Sequence, residues 1–214
     1  MPALIKNAIR LIGSGEHKFL RRRRSCWRQL DCKEIMSNEI LFTEENREII
    51  EHLKNEIIKA FNETEQPAKD NIALHECEEC RGVREDFANV KWQEAINELL
   101  ENNYDKIPLF SPQAFNYFLP AYLLYTLNNF DDEFSEVCEF TLYALTPDES
   151  WKNQNGDISS YWIEKFKLFT FVQMNSIYQF LELAKQNPIY RYNDASSIER
   201  AFDRLKEIKA AGEK

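Results

Sequence analysis

The sequence predicts an all-α protein: a single-domain bundle of about six or seven helices. Three observations carry this expectation. From Met36 onward, apolar residues recur at the three- and four-residue spacing of a helix face. No stretch keeps the period-2 alternation of a half-buried strand. Glycine is scarce, with five in 214 residues beside seven prolines, too few turn-formers for a many-stranded sandwich.

The first helix is expected from Thr43, a candidate N-cap followed by Glu44 and Glu45, whose carboxylates suit a helix start. Its stripe is Ile50, Leu53, Ile57 and Phe61. Residues 62–70, with Pro67, read as a loop. A second helix is expected over about 74–87 and a third over about 91–102. The fourth has the clearest start, with Ser111 as N-cap and Pro112 in the first helical position. It carries Phe115, Phe118, Leu119, Tyr122 and Leu123, and Pro120 inside it removes one backbone hydrogen bond, which predicts a kink.

Phe134, Val137, Cys138, Leu142 and Leu145 mark a fifth helix, and residues 146–156 a second loop. A long sixth helix is expected over about 159–186, burying Trp162, Phe166, Phe169, Ile177, Phe180 and Leu181, and ending before Pro188. Gln173 falls within its stripe and is expected to satisfy buried backbone carbonyls. Ser196 and Glu199 form a capping-box pattern for a last helix whose face is Ile198, Phe202, Leu205 and Ile208.

Charge divides the chain. Residues 1–35 hold nine basic and three acidic residues, a net of +6, whereas 36–214 hold 18 basic and 33 acidic, a net of −15; the whole chain is −9. The basic extension is read first as a translated upstream region, with Met36 the natural start. The alternatives are a basic arm for nucleic acid, anionic lipid or an acidic surface, and an organellar targeting segment. The acidic 36–214 domain is not expected to bind nucleic acid. The longest apolar stretch, 118–127, is about half the roughly twenty residues a membrane helix needs, so no membrane association is expected. Five cysteines, an odd number at ordinary density, point to reduced thiols in a cytoplasmic protein.

Chemistry concentrates in His75-Glu76-Cys77-Glu78-Glu79-Cys80. A Cys-x-x-Cys beside a histidine has the ligand types of zinc, with His75, Cys77 and Cys80 as candidate ligands, yet a structural zinc site needs a fourth ligand and none follows at a fitting spacing. On a continuous helix His75 also lies about 200° round from Cys77. Two buried, reduced core cysteines are therefore the expected outcome, with a metal site and a redox pair as alternatives. The acidic residues around them read as a solvated helix face. Three scattered histidines give no Ser/His/Asp or Cys/His catalytic set, and Gly13-Ser14-Gly15 lacks the spacing of a phosphate loop.

Two elements carry a family resemblance: the His75–Cys80 hexapeptide above, and Ser111-Pro112-Gln113-Ala114-Phe115-Asn116-Tyr117-Phe118-Leu119-Pro120-Ala121, with a weaker echo from Gln173 to Leu181. Together, over roughly residues 70–185, they resemble an uncharacterised family of bacterial proteins, a domain of unknown function. The resemblance implies a shared fold and no particular activity, and leaves residues 1–35 outside the matched region.

Two functions are expected as candidates. The first is a non-enzymatic acidic binding protein, an inhibitor of immunity or antitoxin type for a basic protein partner, with Trp151, Tyr190 and Tyr192 as aromatic anchors and no cofactor. The alternative is a small-molecule or metal-dependent enzyme whose site joins the 75–84 segment to the 111–121 helix through Glu79, Arg84 and Tyr117.

Overall fold

The computed structural model describes residues 44–213 except 131, 133 and 134, and gives no side-chain detail for 44, 45 and 188–195. The basic 1–35 segment, the Thr43 cap, Phe134, Tyr190 and Tyr192 therefore fall outside what can be described.

The chain folds as an all-α bundle: α1 (Glu44–Phe61), α2 (Glu78–Phe87), α3 (Asn97–Asn102), α4 (Pro112–Asn128), α5 (Glu136–Leu145), α6 (Ser160–Phe166), α7 (Phe171–Gln186) and α8 (Pro188–Gly212). Short 3-10 turns join them at Lys69–Asn71, Trp92–Glu94, Tyr104–Leu109 and Glu149–Trp151. Among the described residues the only β pairing is one isolated bridge, Lys152 with Ile158.

The core is built on α4. Thirteen of its seventeen residues are buried, leaving only Pro112, Gln113, Leu124 and Asn128 outside that set. A helix that is apolar on every side has to be surrounded, and α4 packs on α5, on α6 and on the Trp92 turn. Its start is the predicted one: the Ser111 hydroxyl accepts the Ala114 amide at 3.1 Å, and Pro112 follows. The helix continues through Pro120 to Asn128. Two aromatic clusters flank it. Phe118 meets Phe87 and Phe110, with ring centroids 4.9 and 5.5 Å away. Phe115 meets Phe166 and Phe169 at 5.6 and 5.7 Å, and Phe169 in turn meets Phe61 of α1.

The predicted stripes are buried as expected in α1 (Ile50, Leu53, Ile57, Phe61) and α5 (Val137, Cys138, Leu142, Leu145). In α8 the positions Ile198, Leu205 and Ile208 are fully buried and Phe202 half-buried.

Four boundaries differ from the sequence expectation. The second helix begins at Glu78, not near Leu74, because residues 73–76 are held by the Arg84 guanidinium and Leu74 stays exposed. The expected third helix breaks at Ala95 and Ile96, both extended. Its first part packs on α4 and its second on α5, and one straight rod does not serve both. The expected long sixth helix is two, α6 and α7, divided at Thr170, which caps α7 with Gln173 in a reciprocal capping box. Gln173 thus serves a backbone amide, where a carbonyl was expected. The last helix begins at Pro188, so Ser196 lies inside it and caps nothing. Proline in the first helical position, preceded by Asn187, supplies the earlier start.

Candidate functional site

Two features of the described surface stand out chemically: the start of α2, and a carboxylate face formed by α3, the Tyr104–Leu109 turn and α5.

The start of α2 is organised by Arg84. This side chain is buried, and its Nη1 donates to the carbonyls of Ala73 at 2.8 Å and His75 at 3.0 Å, while Nη2 reaches the Glu76 carboxylate at 3.0 Å. A planar guanidinium can satisfy all three at once. The strap is tied to α4 as well: the Ser111 amide donates to the Ile72 carbonyl at 2.8 Å, and the Ser111 hydroxyl donates to that of Asn71.

So braced, the chain enters α2 at Cys77, an N-cap residue in extended conformation whose sulfur accepts the Cys80 amide at 3.4 Å. The two cysteines are not both core residues as expected. Cys80 is fully buried, but Cys77 is exposed, since the N-cap lies outside the helix face that packs. Hydrogen bonding from the Cys80 side chain, then from the Cys80 amide, holds the Cys77 thiol below its ordinary pKa. Burial, followed by the hydrogen bond to Cys77, pushes Cys80 up to about 11.

The other candidates are placed as follows. His75 is exposed and precedes the helix; its carbonyl is used by Arg84. Among the described residues, no group of three or more His, Cys, Asp or Glu side chains is gathered to hold a metal ion. Glu79 is exposed in the first turn of α2. Tyr117 is buried on α4, and burial raises the pKa of its hydroxyl, with the Trp92 backbone acting the other way. The Trp92 indole nitrogen is itself buried without a partner. Glu79, Arg84 and Tyr117 thus have different neighbours: solvent, the 73–76 strap and the Trp92 turn. Trp151, expected as an exposed anchor, is half-buried, with Lys152 Nζ 4.2 Å and the Arg204 guanidinium 5.4 Å from its ring centroid.

The carboxylate face is a feature that spacing does not reveal, because its members come from three elements. α5 packs on the Tyr104–Leu109 turn and on α3, with the Tyr104 and Phe140 rings 4.9 Å apart. These packed elements carry Glu98 and Glu101 on α3, Asp105 on the turn, and Glu136 and Glu139 on α5, all exposed except the half-buried Glu139. Lys106, paired with Asp105 at 3.2 Å, is the only cation these three elements contribute. The Tyr125 hydroxyl anchors the face from beneath by donating to Glu101 at 2.7 Å. Burial, then that carboxylate, pushes Tyr125 up to about 12. Tyr143, 54% exposed, stands on α5 of the same face.

These features define a wholly helical domain with an acidic face and an arginine-braced helix start. The chain belongs to the family of unknown function DUF6714, which matches residues 49–202. That span includes every described residue of both features. No curated protein and no solved structure matches the chain. No helix among the described residues is long and apolar enough to cross a membrane.

Proposed function

We propose that this is a non-enzymatic binding protein of the cytoplasm that captures a basic protein partner, in the manner of an immunity or antitoxin-type inhibitor. The observation that carries the reading is the acidic character of three elements that pack together: α3, the Tyr104–Leu109 turn and α5 contribute five carboxylates and a single cation, Lys106. A face of one sign attracts a cationic surface over about a Debye length and speeds its capture. α5 also carries Tyr143, 54% exposed and of a residue type enriched at protein interfaces. The net charge of −15 over residues 36–214 acts in the same direction. Five cysteines, an odd number at ordinary density, fit a reducing compartment.

The test is capture from the native host at low salt, using the full chain and a Glu98→Lys/Glu136→Lys double variant as baits. A basic protein retained by the first, released by added salt and lost to the second supports the reading. Equal capture by both baits, or no cationic protein on either, overturns it.

A further inference from the structure

The two cysteines of α2 lie one turn apart in opposite surroundings. Cys77 is exposed at the N-cap; Cys80 is buried in the first turn. The 3.4 Å contact from the Cys80 amide fixes the Cys77 sulfur over that turn. Residues so placed fall within the Cα separation a disulfide tolerates, about 4.4–6.8 Å. One turn further along, the buried Arg84 guanidinium is held in place by the Ala73 and His75 carbonyls and paired with the Glu76 carboxylate, so the turn that carries both cysteines is braced from the preceding segment.

We propose that Cys77 and Cys80 form a reversible dithiol–disulfide pair, with exposed Cys77 the attacking thiol toward a small disulfide of the glutathione type and buried Cys80 the resolving thiol.

In the first step the Cys77 thiolate attacks one sulfur of the small disulfide. That S–S bond breaks, a mixed disulfide forms on Cys77, and one thiolate leaves to take up the proton Cys77 had lost. In the second, Cys80 gives up its proton and attacks the Cys77 sulfur, so the second small thiol departs carrying that proton. The protein loses two electrons and two protons, and the small disulfide gains them as two thiols.

The surroundings assign the order of attack. Hydrogen bonds from the Cys80 side chain and amide favour the Cys77 thiolate, against partial desolvation and the charge of Glu79. Burial, then the hydrogen bond to Cys77 and the charge on Cys77, keep Cys80 protonated, with the His75 amide and the Arg84 charge acting the other way. Cys80 is closed to solvent but in contact with the Cys77 sulfur, so a bulky reagent meets Cys77 first. Closing the bridge replaces an N-cap contact within a turn already held by Arg84, so the fold need not open.

The full chain treated with oxidised glutathione, quenched with acid and N-ethylmaleimide and digested with trypsin tests this directly, because Cys77 and Cys80 fall in one peptide, 70–81. In the wild type that peptide should be recovered lighter by two hydrogens, with no glutathione attached. Cys80→Ser should retain glutathione on Cys77, and Cys77→Ser should acquire none on Cys80. Native alkylation with iodoacetamide should label Cys77 at least about tenfold faster than Cys80. Far-UV circular dichroism checks each variant, and Cys80→Ala replaces Cys80→Ser if the buried hydroxyl disrupts folding. Recovery of peptide 70–81 with both thiols free, or with a lasting glutathione adduct in the wild type, overturns the proposal. So does a Cys80 that reacts as readily as Cys77.

Discussion

Thr170 and Gln173 satisfy each other's backbone at the start of α7. The Gln173 amide donates to Thr170 Oγ1 at 3.2 Å, and the Thr170 amide donates to Gln173 Oε1 at 2.9 Å. Gln173 also ties distant segments together: its Nε2 donates to Thr64 Oγ1 at 2.9 Å, and its Oε1 accepts from Asn116 Nδ2 at 3.3 Å. The two residues should therefore differ in importance. Thr170→Ala removes a cap and should cost about 1 kcal/mol. Gln173→Ala strips partners from a buried Asn116 as well, and should cost about 2–4 kcal/mol. Urea midpoints at an unchanged slope measure both, and equal losses would contradict the bridging role.

The same pair marks where sequence reading reached its limit. Trp162, Phe166 and Phe169 continue in phase into Ile177, Phe180 and Leu181, so periodicity alone runs one helix through residues 159–186. The interruption is written in Thr170-x-x-Gln173, with a polar residue at a stripe position. An identical pattern, Ser196-x-x-Glu199, lies inside α8 and starts nothing. What decides between them is whether an earlier start exists, and Asn187–Pro188 provides one for α8 just as Ser111–Pro112 does for α4. The apolar face of α4 was legible because its whole circumference is apolar. The split between Cys77 and Cys80 was not, since it depends on the helix starting at residue 78, and that start is set by Arg84 gripping carbonyls 9 and 11 residues earlier. Backbone acceptors leave no trace in side-chain spacing.

Arg84 should accordingly be the most sensitive residue of the α2 start. Arg84→Ala leaves the Ala73 and His75 carbonyls without their donor, and should cost about 2–4 kcal/mol. Arg84→Lys should recover only part of this, because an ammonium lacks the planar fork. Glu76→Gln should cost less than about 1 kcal/mol, as that carboxylate is 86% exposed. Hydrogen exchange gives an independent reading: the Arg84→Ala chain should lose protection first at the amides of the α2 start. Loss spread evenly over the bundle would assign Arg84 a general packing role instead.

Tyr125 makes stability depend on pH at the alkaline end. Burial and the Glu101 carboxylate raise its hydroxyl from 10.0 to about 12, so the fold favours the neutral phenol. That contribution is fully present below pH 10 and is lost as pH climbs through the folded value near 12. Tyr125→Phe removes the titration and should flatten this part of the stability curve. Some slope should remain, because Cys80, raised from 9.0 to about 11, follows the same sign over its own window. Urea midpoints taken from neutral pH into this range compare the two chains; parallel curves would show that Tyr125 is not perturbed.

Gly82 and Gly156 give a paired prediction in which space is equal and conformation differs. A Cβ at either position meets nothing within 4 Å. Gly82 lies inside α2, where alanine restricts the unfolded chain and fits the helix, so Gly82→Ala should stabilise by about 0.5–1 kcal/mol. Gly156 has φ of 83°, in the left-handed region, within the turn where its amide donates to the Asn153 carbonyl at 3.0 Å. Alanine there is strained whatever the room, and Gly156→Ala should destabilise by about 1 kcal/mol. Thermal midpoints of the two variants should therefore move in opposite directions. A shift of the same sign in both would mean that the α2 start or the 153–157 turn adopts a different backbone from the one described, and for α2 that would also remove the N-cap geometry on which Cys77 depends.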